Sequence, residues 1–129
     1  MCFFTTLLMV SCSSDEIDSA KIVGTWGCVS SYGHIWVPNT EIDEEHIDED
    51  RGKIIVFKED GTYISSSRDL SIFHNAGTYM IDGNCLLINH NGDNYNIIIQ
   101  ELSNTTLKVH YSNLEDNWKC ERRMELKRQ

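Results

Sequence analysis

The chain has 129 residues, enough for one domain and too few for two with separate cores. Hydrophobic residues make up 40% and charged residues 24%, the balance of a globular chain rather than a disordered one. A formal net charge of -9 repels phosphate backbones, so nucleic acid is not expected as a partner. Much of that charge is local, in Glu41, Asp43, Glu44, Glu45, Asp48, Glu49 and Asp50.

The N-terminus reads as an address. Phe3 to Val10 are apolar apart from Thr5 and Thr6, and a polar run follows Ser11-Cys12. Eight residues cannot span a bilayer as a helix, which needs about 20, but they do suit the end of a secretory signal peptide. Leu8-Met9-Val10-Ser11-Cys12 resembles a lipobox, with Met9 where Leu is commoner and no basic segment ahead of it. The expectation is a signal peptide over residues 1–11, an acylated Cys12 holding the protein to the membrane, and a lipidated tether over 12–20. Two or three acyl chains anchor stably where one does not. Ser13-Ser14-Asp15-Glu16 resembles the export tag with which some Gram-negative anaerobes place lipoproteins on the outer face. The expected location is the outer membrane, with surface display favoured.

From Lys21 onward short apolar segments alternate with turn residues, the pattern of an all-β sandwich or barrel. Eight strands are expected at about residues 22–31, 53–58, 62–67, 76–82, 85–89, 94–101, 105–112 and 118–126. Glu59-Asp60-Gly61, Asp82-Gly83-Asn84, Asn89-His90-Asn91-Gly92, Ser103-Asn104 and Asn113-Leu114-Glu115-Asp116 supply the reversals. A two-residue loop after Phe57 puts Thr62 opposite it, and a bulged three-residue loop puts Tyr63 there. Short consecutive connections make a meander, and eight such strands close into a single antiparallel up-and-down barrel over residues 21–127. The longest connection, about residues 32–52, holds the acidic run, and Asn39 or Thr40 there could cap one short helix. In the last strand Trp118, Cys120, Arg122, Met124 and Leu126 share a face opposite Lys119, Glu121, Arg123 and Glu125. Arg122 is therefore inward and needs a partner.

Several of these segments together resemble the lipocalin-like bacterial lipoproteins. Ile22-Val23-Gly24-Thr25-Trp26 is similar to the family's Gly-x-Trp opening. Val56-Phe57 through Asp60-Gly61-Thr62-Tyr63 resembles its second hairpin, and Gly77-Thr78-Tyr79 with Asp82-Gly83-Asn84 and Leu86 its next. Leu102 with Leu107 matches a later turn. The resemblance implies a lipocalin-like barrel in which an arginine of the last strand covers the tryptophan of the first. That role falls to Arg122 over Trp26, a cation–π contact beside Gly24. The same register sets Cys28 opposite Cys120 across the closing seam, where they either form a disulfide or remain two buried thiols. Cys85 is left unpaired in both cases.

The sequence offers little reactive chemistry. No Gly-rich phosphate loop, zinc-spaced cysteine pair or metalloprotease helix occurs, so neither a cofactor nor a metal is expected. The histidines are scattered, and the acidic run lacks the alternating ligands of a calcium loop. An enzyme is not expected. The resemblance implies an open end opposite the tryptophan, and parity brings Tyr32, Tyr95, Tyr111 and Trp118 there, with Trp36 as part of a lid. Aromatic walls with hydroxyls suit a small hydrophobic or amphipathic ligand. Eight-stranded barrels are also just narrow enough to fill themselves, which leaves a protein-interaction lipoprotein with a filled barrel as the alternative. No particular protein partner is indicated.

Overall fold

The computed structural model describes residues 17–66 and 73–129. Cys12, the expected signal peptide and most of the expected tether lie outside the described residues. A 3-10 turn, Ser19–Ile22, leads into nine strands: β1 Gly24–Trp36, β2 Asp43–Ile47, β3 Ile54–Phe57, β4 Thr62–Ser65, β5 Ala76–Asp82, β6 Cys85–His90, β7 Asp93–Leu102, β8 Thr106–Asn113 and β9 Lys119–Arg128. All neighbouring pairs are antiparallel, and β9 returns to pair with β1. The eight strands other than β2 form the closed barrel, and β2 adds to the upper half of β1 on the edge that β3 occupies lower down.

The turn residues act as their chemistry dictates. Between His90 and its partner Asp93 only Asn91 and Gly92 intervene, both at positive φ (52° and 87°), the two-residue hairpin turn that matches strand twist. The loop between β3 and β4 sets Tyr63, not Thr62, opposite Phe57.

Three local expectations are corrected. The acidic run contains strand β2 rather than a helix: Asn39 sits in a turn at φ 63°, and the chain comes straight back along β1, with Trp36 opposite Asp43 and Tyr32 opposite Ile47. Cross-strand pairing satisfies this backbone, with Asp43 and Glu45 on the face of Trp36 and Tyr32, and Glu44 on the face of His46. Strand β1 also runs on to Trp36, so Trp36 is a sheet residue and not part of a lid. Finally, a β-bulge shifts the β1–β9 register between Cys28 and Ser30. One extra residue reverses which side chains face inward for the rest of the strand.

The core lies inside the barrel. Trp26, Ile55, Phe57, Tyr63, Leu86, Ile88, Ile97, Leu107, Val109 and Leu126 are all buried, and most alternate with exposed or half-exposed neighbours along their strands. Phe73, from the segment before β5, is buried among them. Its ring meets Phe57 edge-on at 5.5 Å and Tyr63 at 6.1 Å. The middle of the barrel is thus a packed core.

Candidate functional site: the open end of the barrel

The two ends of the barrel differ in chemistry. At the lower end Trp26 is fully buried, and its indole N–H donates to the Ile22 carbonyl at 2.8 Å. Its ring is covered by Arg128, whose guanidinium carbon lies 4.3 Å from the ring centroid. Arg128 donates Nη1 to Val23 O at 2.9 Å, Nε to Asn104 O at 2.6 Å, and Nη2 to Lys21 O. One side chain ties the N-terminal turn, the β7–β8 turn and the end of β9 together over the indole.

The expected pairing of Trp26 with Arg122 is therefore corrected to Arg128. Trp26 faces Arg128 in the β1–β9 ladder, while Arg122 faces Gly33. Strand β9 extends to Arg128, and the two arginines have the same parity, so either satisfies the alternation. The cysteine pairing falls with it. Cys28 lies opposite Leu126, Cys120 lies opposite Ile35, and both thiols are free. Burial, with Asp50 adding to it, pushes the Cys28 thiol up to about 12. Cys85 is fully buried.

At the upper end the inner wall turns polar and aromatic. Tyr95 and Tyr111 continue the inward parity of Ile97 and Val109, and their rings meet edge-on at 5.9 Å. Burial raises the Tyr111 hydroxyl above its ordinary value, with nearby Cys120 and Tyr95 adding to the effect. His74 lies 5.8 Å from Tyr95 and stacks on His90 at 5.4 Å between ring centroids. His90 follows Ile88 on the inner face of β6 and bonds through Nδ1 to Ala76 O at 2.7 Å. Beyond Tyr111 the ladder runs directly across three further strands, Tyr111 to Arg122 to Gly33 to His46. Glycine leaves that row open: a Cβ on Gly33 would sit 3.2 Å from Arg122 Nη1 and 3.7 Å from His46 Cβ.

Of the expected lining residues, the structure brings Tyr95 and Tyr111 together and leaves three elsewhere. Tyr32 faces outward because the bulge reverses β1; its hydroxyl donates to Glu45 at 2.7 Å, and Arg123 lies 4.6 Å over its ring. Trp36 shares that outer face and stacks on His34 at 4.2 Å. Trp118 is 59% exposed, in the loop ahead of β9, where strand alternation no longer applies. His74, His90, His46 and Gly33 join the site unannounced. The parity of His90 with Ile88 was readable in the sequence. His74 and His46 lie in segments whose path only the folded chain reveals.

An antiparallel barrel plugged at one end and lined with aromatic and polar groups at the other is the architecture of a ligand-binding barrel. The model of the Lipocalin-like domain family matches residues 22–109, and the chain belongs to that family. The match includes Trp26 and stops short of β9, so the role of Arg128 rests on the geometry above. No curated protein matches the chain.

Proposed function

We propose that this is a non-enzymatic envelope binding protein, anchored through acylated Cys12 in the outer membrane and displayed outward, that holds a small hydrophobic or amphipathic molecule at the upper end of its barrel. The observation that carries the reading is the arc of rings His90, His74, Tyr95 and Tyr111 on the inner wall, above a core already filled by Phe57, Tyr63 and Phe73. Aromatic faces offer apolar area at small cost in lost side-chain freedom, and their polar edges orient an amphipathic guest. Because the middle of the barrel is occupied, the guest sits in the mouth.

Among the described residues no helix is long and apolar enough to cross a membrane, and in this reading attachment falls to Cys12. Native mass spectrometry of the protein extracted from its own membranes tests both parts. A mature chain starting at Cys12 with acyl mass added, carrying a releasable small molecule, is the expected result. An unacylated chain would remove the anchor, and a bare barrel that stays bare when offered host lipid extract would remove the ligand.

The alternative, an accessory lipoprotein acting through its surface, draws on Trp118, Leu114 and Ile47, all more than half exposed. A bare barrel that instead retains a protein partner, and loses it in Trp118→Ala, would favour that reading.

A further inference from the structure

We infer that the guest of this barrel carries an oxyanion head group, and that Arg122 is the residue that receives it. The inference rests on the reading of the upper end as a binding site and adds the chemistry of what enters.

Arg122 is the unusual arginine of β9. Arg128 is held by three backbone carbonyls, and Arg123 lies outside over Tyr32 and near Glu121. Arg122 points inward, on the same face as buried Met124 and Leu126, and is itself only partly exposed. Among the described residues it makes no hydrogen bond and no ion pair. A guanidinium has five N–H donors and no way to become neutral. Drawing it from water without an acceptor costs free energy, and the strand opposite leaves it unblocked by presenting Gly33, where a Cβ would crowd Nη1 at 3.2 Å.

Two side chains flank Arg122 in the same row. Tyr111 lies directly across from Arg122 on the other side. His46 sits next in the row; its Nδ1 is taken by Glu49, while its Nε2 is buried without a hydrogen-bond partner, the nearest carboxylate oxygen, of Glu44, being 3.5 Å away. Arg122 is thus the member of this row whose N–H donors are unused among the described residues. A carboxylate, sulfonate or phosphate ester supplies two coplanar acceptors to one guanidinium edge, the geometry arginine binds best. The apolar part of such a molecule then lies against Tyr95 and Tyr111.

Two fluorescent probes with the same aromatic body separate the head group from the rest. Anilinonaphthalene sulfonate carries the anion, and N-phenylnaphthylamine lacks it. The full-length protein should bind the sulfonate about tenfold more tightly than the neutral amine, as expected for one charge-assisted bidentate contact. Arg122→Gln should abolish that preference and leave the neutral probe within about twofold of its original affinity. Gly33→Ala keeps the charge but crowds the guanidinium, and should weaken the sulfonate selectively. Arg123→Gln, on the outer face, should change neither. Equal affinity for both probes in the unaltered protein, or equal loss of both in Arg122→Gln, would overturn the inference while leaving a binding barrel. Failure of the unaltered protein to bind either probe would take the proposed function down with it.

Discussion

Arg128 sits over Trp26 with 4.3 Å between guanidinium carbon and ring centroid, and Gly24 is what lets it approach. Gly24 has φ of 138°, a conformation L side chains rarely adopt, and a Cβ there would run into Arg128 Nη1. The contact joins the two terminal strands of the barrel, so its loss opens the seam rather than one loop. Arg128→Gln removes the cation–π contact and charge-assisted bonds to backbone carbonyls. It should cost roughly 3 kcal/mol in urea unfolding. Arg122→Gln should cost less than about 1 kcal/mol, since no protein partner is stranded. Equal losses in the two variants would contradict the division of labour between these arginines.

A second closure lies at Gly77 in β5. A Cβ there would meet the Asn89 carbonyl oxygen and come within 2.9 Å of Tyr63 Cε1. Both obstacles are fixed, one by the backbone of β6 and the other by the packed core and the Tyr63 hydroxyl bond to His74 O at 3.0 Å. Gly77→Ala should therefore destabilise by about 1–3 kcal/mol, the usual cost of overpacking. Gly92→Ala, with open space around its position, should lose only the turn preference. Thermal unfolding of the two variants side by side checks the difference; a milder effect at Gly77 than at Gly92 would contradict it.

The strands were legible because each reversal carries its own chemistry. Asp82-Gly83-Asn84 and His90-Asn91-Gly92 mark their turns in the sequence, and alternation between them gives the inward residues of β6, β7 and β8 directly. Tyr95 and Tyr111 were found this way. What was not legible depends on register over long distances. The bulge in Cys28-Val29-Ser30 has no Gly or Pro to announce it, yet it turns Tyr32 from wall to surface. Arg122 and Arg128 are equivalent by parity, and only the full length of β9 against β1 chooses between them. Strand β2 was hidden because seven acids in a short run have no apolar alternation; its pairing comes from the adjacent β1 edge rather than from its own side chains.

Alkaline pH should weaken the fold, and the sign follows from two buried acids. Cys28 and Tyr63 are each pushed up to about 12 by burial, from ordinary values of 9.0 and 10.0. Below pH 9 both groups are protonated whether the chain is folded or unfolded, and their contribution is fully present. Between the unfolded and folded values only the unfolded chain releases its protons, so stability falls as pH rises toward 12. The urea midpoint should drop from pH 8 to pH 11. Cys28→Ala should flatten the part of the decline that begins near pH 9, and Tyr63→Phe the part that begins near pH 10. A midpoint unchanged up to pH 11 would contradict the burial of these groups.

The two free thiols should differ in reactivity for the same reason. Cys28 is 3% exposed in the lower core, its Sγ lies 3.3 Å from Ser30 O, and burial disfavours its thiolate. Cys120 is only half-buried near the mouth, opposite Ile35 and Asn113. Since the thiolate is the reacting species, iodoacetamide should label Cys120 well before Cys28 in the folded protein. The rates should converge once urea unfolds the barrel. Peptide mass spectrometry of a labelling time course reads both. A Cys28–Cys120 linked peptide, or faster labelling of Cys28, would mean that β9 meets β1 in a different register from the one that places Arg128 over Trp26 and leaves Arg122 facing the mouth.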